Sequence, residues 1–139
     1  MSPLERVANT PTWLLSRANA RAQAILGDAF TNEGVRGYHF RLLAALEQYG
    51  PSSQAELGRR TGIDEAEVVA TVRDLLSRGL VRTRRDPLDR RRNIVTITKL
   101  GGQMLGRLDL RLADVQEVVL APLSAGERQT LQRLLRKLT

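Results

Sequence analysis

The chain has 139 residues, 42% of them hydrophobic and 27% charged, which fits one globular domain and leaves no room for a separate catalytic domain. Lys and Arg number 22 against 15 Asp and Glu, and the resulting net charge of +7 favours a polyanionic partner, with nucleic acid ahead of an anionic membrane surface because no stretch approaches the roughly 18 consecutive apolar residues of a membrane span. With no cysteine there are no disulfides, thiolate zinc sites or thiol-oxidation switches, and a single histidine, His39, excludes a histidine-rich metal site.

From about Pro11 to Phe30, the residues Trp13, Leu14, Leu15, Ala18, Ala22, Ile25 and Leu26 recur at mostly helical spacing and predict an amphipathic helix. After a break at Thr31 to Gly37, a second helix is expected over Tyr38 to Tyr49, carrying Phe40, Leu42, Leu43 and Leu46 and closed by Gly50-Pro51. Ser53-Gln54-Ala55-Glu56 is a capping box that opens a short helix to about Arg60. Thr61-Gly62-Ile63 makes a turn, and Asp64 with Glu67 caps the next helix, whose expected buried stripe is Val68, Val72 and Leu75 with Val69 and Leu76 beside them. Two short helices joined through a glycine turn are the helix-turn-helix pattern.

Beyond Gly79 the period shortens to two, predicting strands at Leu80 to Arg85 and Asn93 to Thr98 around the loop Asp86 to Arg92, a β-hairpin wing. Thr98 is expected to cap a long helix from about Lys99 to Leu120, with Leu105, Leu108, Leu112, Val115 and Val119 at helical spacing; Gly101, Gly102 and Gly106 weaken its first turns, and Pro122 stops it. A last helix opens at Ser124, where Glu127 completes a third capping box, and lines one face with Leu131, Leu134, Leu135 and Leu138.

Between Arg78 and Arg92 there are seven arginines against Asp86 and Asp89, so fifteen residues hold five of the chain's seven net positive charges. Guanidinium groups on a hairpin can enter the minor groove of a duplex, while the first turns of the second helix of the pair enter the major groove. The expected readers there are Thr71 and Arg73, with Glu65, Glu67 and Ala70 beside the groove. Arg73 can donate to guanine and the carboxylates can accept from cytosine N4; alternatively Arg73 pairs with Asp74 or a phosphate. Ser53 and Gln54, at the start of the preceding helix, either hold a phosphate or only cap.

The order of elements resembles the MarR family over essentially the whole chain. Asp86-Pro87-Leu88-Asp89-Arg90-Arg91 followed by Val95-Thr96-Ile97-Thr98-Lys99-Leu100-Gly101 is similar to that family's wing signature, and Gly79-Leu80-Val81 and Leu123-Ser124 through Glu127 also fit it. The resemblance implies a mainly α fold: a winged helix-turn-helix with a small β-hairpin wing and terminal dimerisation helices. One domain spans 1–139, with dimerisation helices at about 11–34 and 99–139 around a DNA-binding region of about 35–98. It further implies a bacterial, cytoplasmic homodimer that acts as a transcriptional regulator, expected to be a repressor, on a pseudo-palindromic operator. Arg91 matches the family's minor-groove arginine and Asp89 its partner, with Arg90 and Arg92 beside them. A small organic effector is expected in a crevice that Trp13, His39 and Phe40 help line, although Trp13 and Phe40 also suit plain core positions and His39 a satisfied side chain. No cofactor or metal is implied.

An enzyme is not expected, because the chain has no Gly-x-Ser-x-Gly elbow, phosphate loop or dinucleotide fingerprint, and His39 lacks an evident nucleophile partner. The alternative is a winged-helix protein-interaction adaptor, against which the arginine-rich wing argues. The terminal helices need a surface to cover Leu131, Leu134, Leu135 and Leu138, and a twofold dimer supplies it, with recognition helices about one DNA turn, roughly 34–36 Å, apart.

Overall fold

The computed structural model describes residues 4–139. In chain order these form α1 (Glu5–Ala8), α2 (Pro11–Thr31), α3 (Gly37–Tyr49), β1 (Ser52–Ser53), α4 (Gln54–Thr61), α5 (Glu65–Ser77), β2 (Val81–Arg85), β3 (Asn93–Ile97), α6 (Lys99–Val119) and α7 (Ala125–Lys137). The expected helices and hairpin are all present. The expectations lacked α1, and they lacked β1, which pairs antiparallel with β3 through Ser52 opposite Val95 and Ser53 opposite Ile94. The wing is therefore part of a three-stranded sheet of order β1-β3-β2, with β2 and β3 in register from Val81 opposite Ile97 to Arg85 opposite Asn93.

The chain divides into two compact units. One is Phe30–Arg111, wider than the segment of about 35–98. Its core joins Phe30 and Val35 to Leu42, Leu43 and Leu46 of α3, Leu57 of α4, Val68, Val72 and Leu75 of α5, Val81 and Val95 of the sheet, and Leu105 and Leu108 of α6. Local chemistry fixes its element ends. Ser53 Oγ accepts from Glu56 N at 3.2 Å while Ser53 N donates to Glu56 Oε1 at 3.3 Å, and Asp64 Oδ1 accepts from Glu67 N at 3.1 Å. Gly62, at φ 70°, ends α4 in the left-handed region, the step that turns the chain toward α5.

Gly101 has a role that its low helix propensity conceals. A Cβ built there would lie 2.1 Å from Leu80 O and 2.8 Å from Ile97 Cγ1. The first turn of α6 thus presses directly on the backbone where β2 begins, and Thr98 pins the junction by donating to Gly79 O at 2.7 Å and accepting from Gly101 N at 3.0 Å.

The other unit combines the described residues up to Ala29 with Leu112–Thr139. Arg21 donates through Nη1 to Val119 O at 2.9 Å and through Nη2 to Val118 O at 3.3 Å, satisfying carbonyls at the C-terminus of α6. Ser124 and Glu127 form the expected reciprocal cap of α7, and Arg128 pairs with Glu117 at 2.9 Å. Leu134, Leu135 and Leu138 stay exposed, as do Leu14 and Leu15, while Leu131 is half-buried.

Candidate functional site

Within the Phe30–Arg111 unit, α5 presents three distinct faces. Val68, Thr71, Val72 and Leu75 point into the core. A polar seam runs along its flank: Glu67 faces Arg36 at 3.9 Å, and Asp74 accepts from His39 Nε2 at 2.6 Å and pairs with Arg78 Nε at 3.1 Å. Arg78 also donates to Gly34 O. The third face, made by Glu65, Ala66, Val69, Ala70 and Arg73, lines a shallow open groove.

This arrangement corrects one expected reader, Thr71, and one residue expected beside the groove, Glu67. Thr71 is fully buried and its Oγ1 has no partner, so it belongs to the core side of the helix and reaches no outside edge. Glu67 is turned toward Arg36 and its Oε2 is buried, which places it on the seam and not on the outward face. The reason is helical phase: at 3.6 residues per turn, position 71 falls with 68, 72 and 75, and 67 falls with 74 and 78. Glu65, Ala70 and Arg73 do share the outward face, and Arg73 is exposed with no carboxylate within 4.0 Å among the described residues. Val69 and Leu76 were expected in the buried stripe, but Val69 is half-buried at the groove and Leu76 is exposed.

A second cleft lies between the α4 start, the α5 start and the wing, lined by Gln54, Arg59, Glu65, Arg91, Arg92 and Asn93 together with Ser53. Ser53 itself is only 3% exposed and its hydroxyl is committed to the cap, so of its two expected roles the cap is the one its side chain fills. Gln54 is half-buried and borders the cleft. Arg92 is also committed, donating to Glu56 Oε1 at 2.8 Å and approaching Asp86 at 3.8 Å. It ties the wing to α4 and is a strut more than a free contact. Glu56 receives Arg60 on its other oxygen at 3.3 Å. Hydrogen bonds from the Ser53 backbone and hydroxyl hold the Glu56 carboxyl below its ordinary value against the opposing effect of burial, with Arg60 and Arg92 adding to the shift.

At the wing tip, Asp86 Oδ1 accepts from Leu88 N at 2.9 Å, and Asp89 Oδ1 accepts from Arg91 N at 3.1 Å and Arg91 Nε at 3.3 Å. Asp89 thus orients Arg91, whose side chain is 93% exposed. Arg82, Arg84 and Arg90 are exposed and have no carboxylate within 4.0 Å among the described residues. The expected concentration of positive charge is therefore only partly compensated: Arg91 is paired with Asp89, and Arg78 and Arg92 have carboxylate partners that sequence alone does not reveal, while Arg82, Arg84, Arg85 and Arg90 have none within 4.0 Å among the described residues.

The residues expected to line one crevice fall in different units, and each has its own surroundings. Trp13 is half-buried with the Arg17 guanidinium 5.7 Å from its ring. Phe40 packs against Phe30 with ring centroids 5.5 Å apart. His39 is buried, with Nδ1 accepting from Arg36 N at 3.0 Å and Nε2 on Asp74, so it is satisfied on both ring nitrogens. Its hydrogen bond, joined by Arg78, holds the Asp74 carboxyl below its ordinary value against partial burial. A separate cavity bordered by Gly34, Arg36, His39, Asp74 and Arg78 opens along the seam. No group of three or more potential metal-binding side chains occurs among the described residues, and no helix there is long and apolar enough to cross a membrane.

A family model described as MarR family matches residues 33–92. Over 125 residues the chain is 37% identical to the HTH-type transcriptional repressor NicR of Pseudomonas putida, a match covering 90% of this chain and 79% of that protein. Among solved structures, a probable transcriptional regulator from Pseudomonas aeruginosa matches with a TM-score of 0.84 and 33% identity over 94% of this chain and 98% of that one. Bordetella bronchiseptica BpsR, whose DNA binding is regulated by 6-hydroxynicotinic acid, matches with a TM-score of 0.83 and 28% identity, covering 95% of this chain and 94% of the other.

Proposed function

The chain belongs to the MarR family, and from that premise we propose that it is a sequence-specific, duplex-DNA-binding transcriptional repressor acting as a homodimer. The observation that carries this is the set of exposed guanidinium groups on the wing, Arg82, Arg84, Arg90 and Arg91, in the same unit as an outward α5 face free of core or cap duties. Phosphates neutralise such a surface and release counterions, which provides affinity without sequence information. Arg91, held by Asp89, enters the minor groove, and α5 enters the major groove with Glu65, Ala70 and Arg73 toward the bases. Gln54 and the α4 start lie against the backbone.

The exposed leucines of α7 support self-association, because a stripe of this kind on a lone chain is an aggregation hazard and in a twofold dimer it is covered. Two reading units on one symmetric dimer then select a pseudo-palindrome. A small organic effector is part of the proposal, acting by unequal affinity for the DNA-competent arrangement and its alternative. Its support is the regulation of the related BpsR by 6-hydroxynicotinic acid.

Selection from a random duplex pool, followed by a salt titration of the selected sequence, tests the proposal. The expected result is a pseudo-palindrome bound with a steep inverse dependence on salt concentration. Absence of duplex binding at low salt overturns it.

A further inference from the structure

The outward face of α5 has a chemical order that the proposed DNA-binding function does not by itself require. Its ends are charged, with the Glu65 carboxylate in the first turn and the Arg73 guanidinium two turns on, neither within 4.0 Å of an opposite charge among the described residues. Between them the groove is lined by Ala66, Val69 and Ala70, which bring methyl groups and no hydrogen-bonding side chain. Ala66 and Ala70 are exposed and Val69 is half-buried. The other faces of the helix are occupied by the core and by the Arg36–His39 seam, so this strip is the part left to meet a partner. Glu65 also borders the wing cleft with Arg91, making the strip continuous with the basic surface.

The major groove edge displays one apolar group, the C5 methyl of thymine; cytosine N4 is a donor suited to a carboxylate, and guanine O6 and N7 accept from a guanidinium. Eight residues separate Glu65 from Arg73, about 12 Å of helix, or roughly three to four base pairs. Resting on the DNA-binding function proposed above, we infer that Ala66, Val69 and Ala70 read thymine methyl groups at the centre of each half-site, flanked by a cytosine on the Glu65 side and a guanine on the Arg73 side. The small side chains let the helix backbone come close to the base edges, so that methyl contact, and not a central hydrogen bond, sets the preference there.

The test replaces thymine by uracil, one position at a time and symmetrically in both half-sites, in the operator selected from a random pool. Uracil keeps base pairing and the O4 acceptor and removes only the methyl. The expected result is a loss of about fourfold in affinity per contacted methyl, hence roughly fifteenfold for a symmetric pair, confined to one or two central positions. Val69→Ala, a helix-compatible truncation, is expected to shrink the thymine–uracil difference at one of those positions while leaving the salt dependence unchanged. Equal binding of uracil and thymine at every position, with the operator still bound specifically, overturns the inference and leaves the proposed function standing. Failure of any duplex to bind removes both.

Discussion

Asp74 and Gly101 show how much a single position can depend on surroundings far away in sequence. Asp74 is drawn below its ordinary value of 3.8, first by the His39 hydrogen bond and then by Arg78. A carboxyl whose folded value is depressed contributes stability that is fully present above the unfolded value and disappears as pH falls through the folded one. Asp74→Asn is therefore expected to be less stable than the parent protein at pH 7, with the gap closing as pH drops below about 4. Urea melts at pH 7 and pH 3 measure this, and a gap that stays constant or widens in acid contradicts it. Gly101→Ala is expected to lower stability by about 1–3 kcal/mol even though alanine is the better helix former, because its Cβ meets Leu80 O at 2.1 Å. Thermal denaturation at matched pH decides the sign. In the sequence this glycine registers as a helix weakener and as the end of the wing signature, but its packing reason is not legible there, since the carbonyl it makes room for lies twenty-one residues earlier.

Among the elements, those with local signals were legible and those with distant partners were not. The Ser53–Glu56 and Ser124–Glu127 boxes are visible because donor and acceptor sit three residues apart. By contrast β1 is two residues long, and its partners Ile94 and Val95 lie some forty positions on. Thr71 was misplaced for a different reason: its hydroxyl suggests a reader, yet the phase of Val68, Val72 and Leu75 already puts it in the core. Ser53→Ala is expected to cost about 1 kcal/mol of stability through loss of the cap while leaving the salt slope of duplex binding intact. A changed slope with unchanged stability, from melts and titrations on the same variant, would assign Ser53 to a phosphate instead. Arg91→Ala is expected to do the reverse, reducing the salt slope by about one per half-site and weakening all duplexes similarly without altering the melt. Arg92 should behave unlike its neighbour, because its bond to Glu56 makes it a part of the wing's attachment.

For the whole molecule, the proposed dimer assigns assembly to the terminal helices. Removing Ser124–Thr139 takes away Leu131, Leu134, Leu135 and Leu138 and the cap that starts α7, and it is expected to yield a monomer with operator affinity reduced about 100-fold or more through loss of the second half-site. Light scattering reads the mass, and a dimer that persists at full affinity refutes the assignment. The helical content and the apolar stripe were readable from periodicity; that the stripe remains uncovered within one chain is a fact only the fold supplies. Spectroscopy gains from one further arrangement. His39 is the chain's single histidine, and with Nδ1 accepting from Arg36 N, the hydrogen-bond pattern assigns its ring proton to Nε2, shared with an aspartate of the helix proposed to enter the major groove. One imidazole N–H resonance, free of overlap from any other histidine, is therefore a native beacon for the orientation of that helix, readable by nuclear magnetic resonance without a label in the DNA interface.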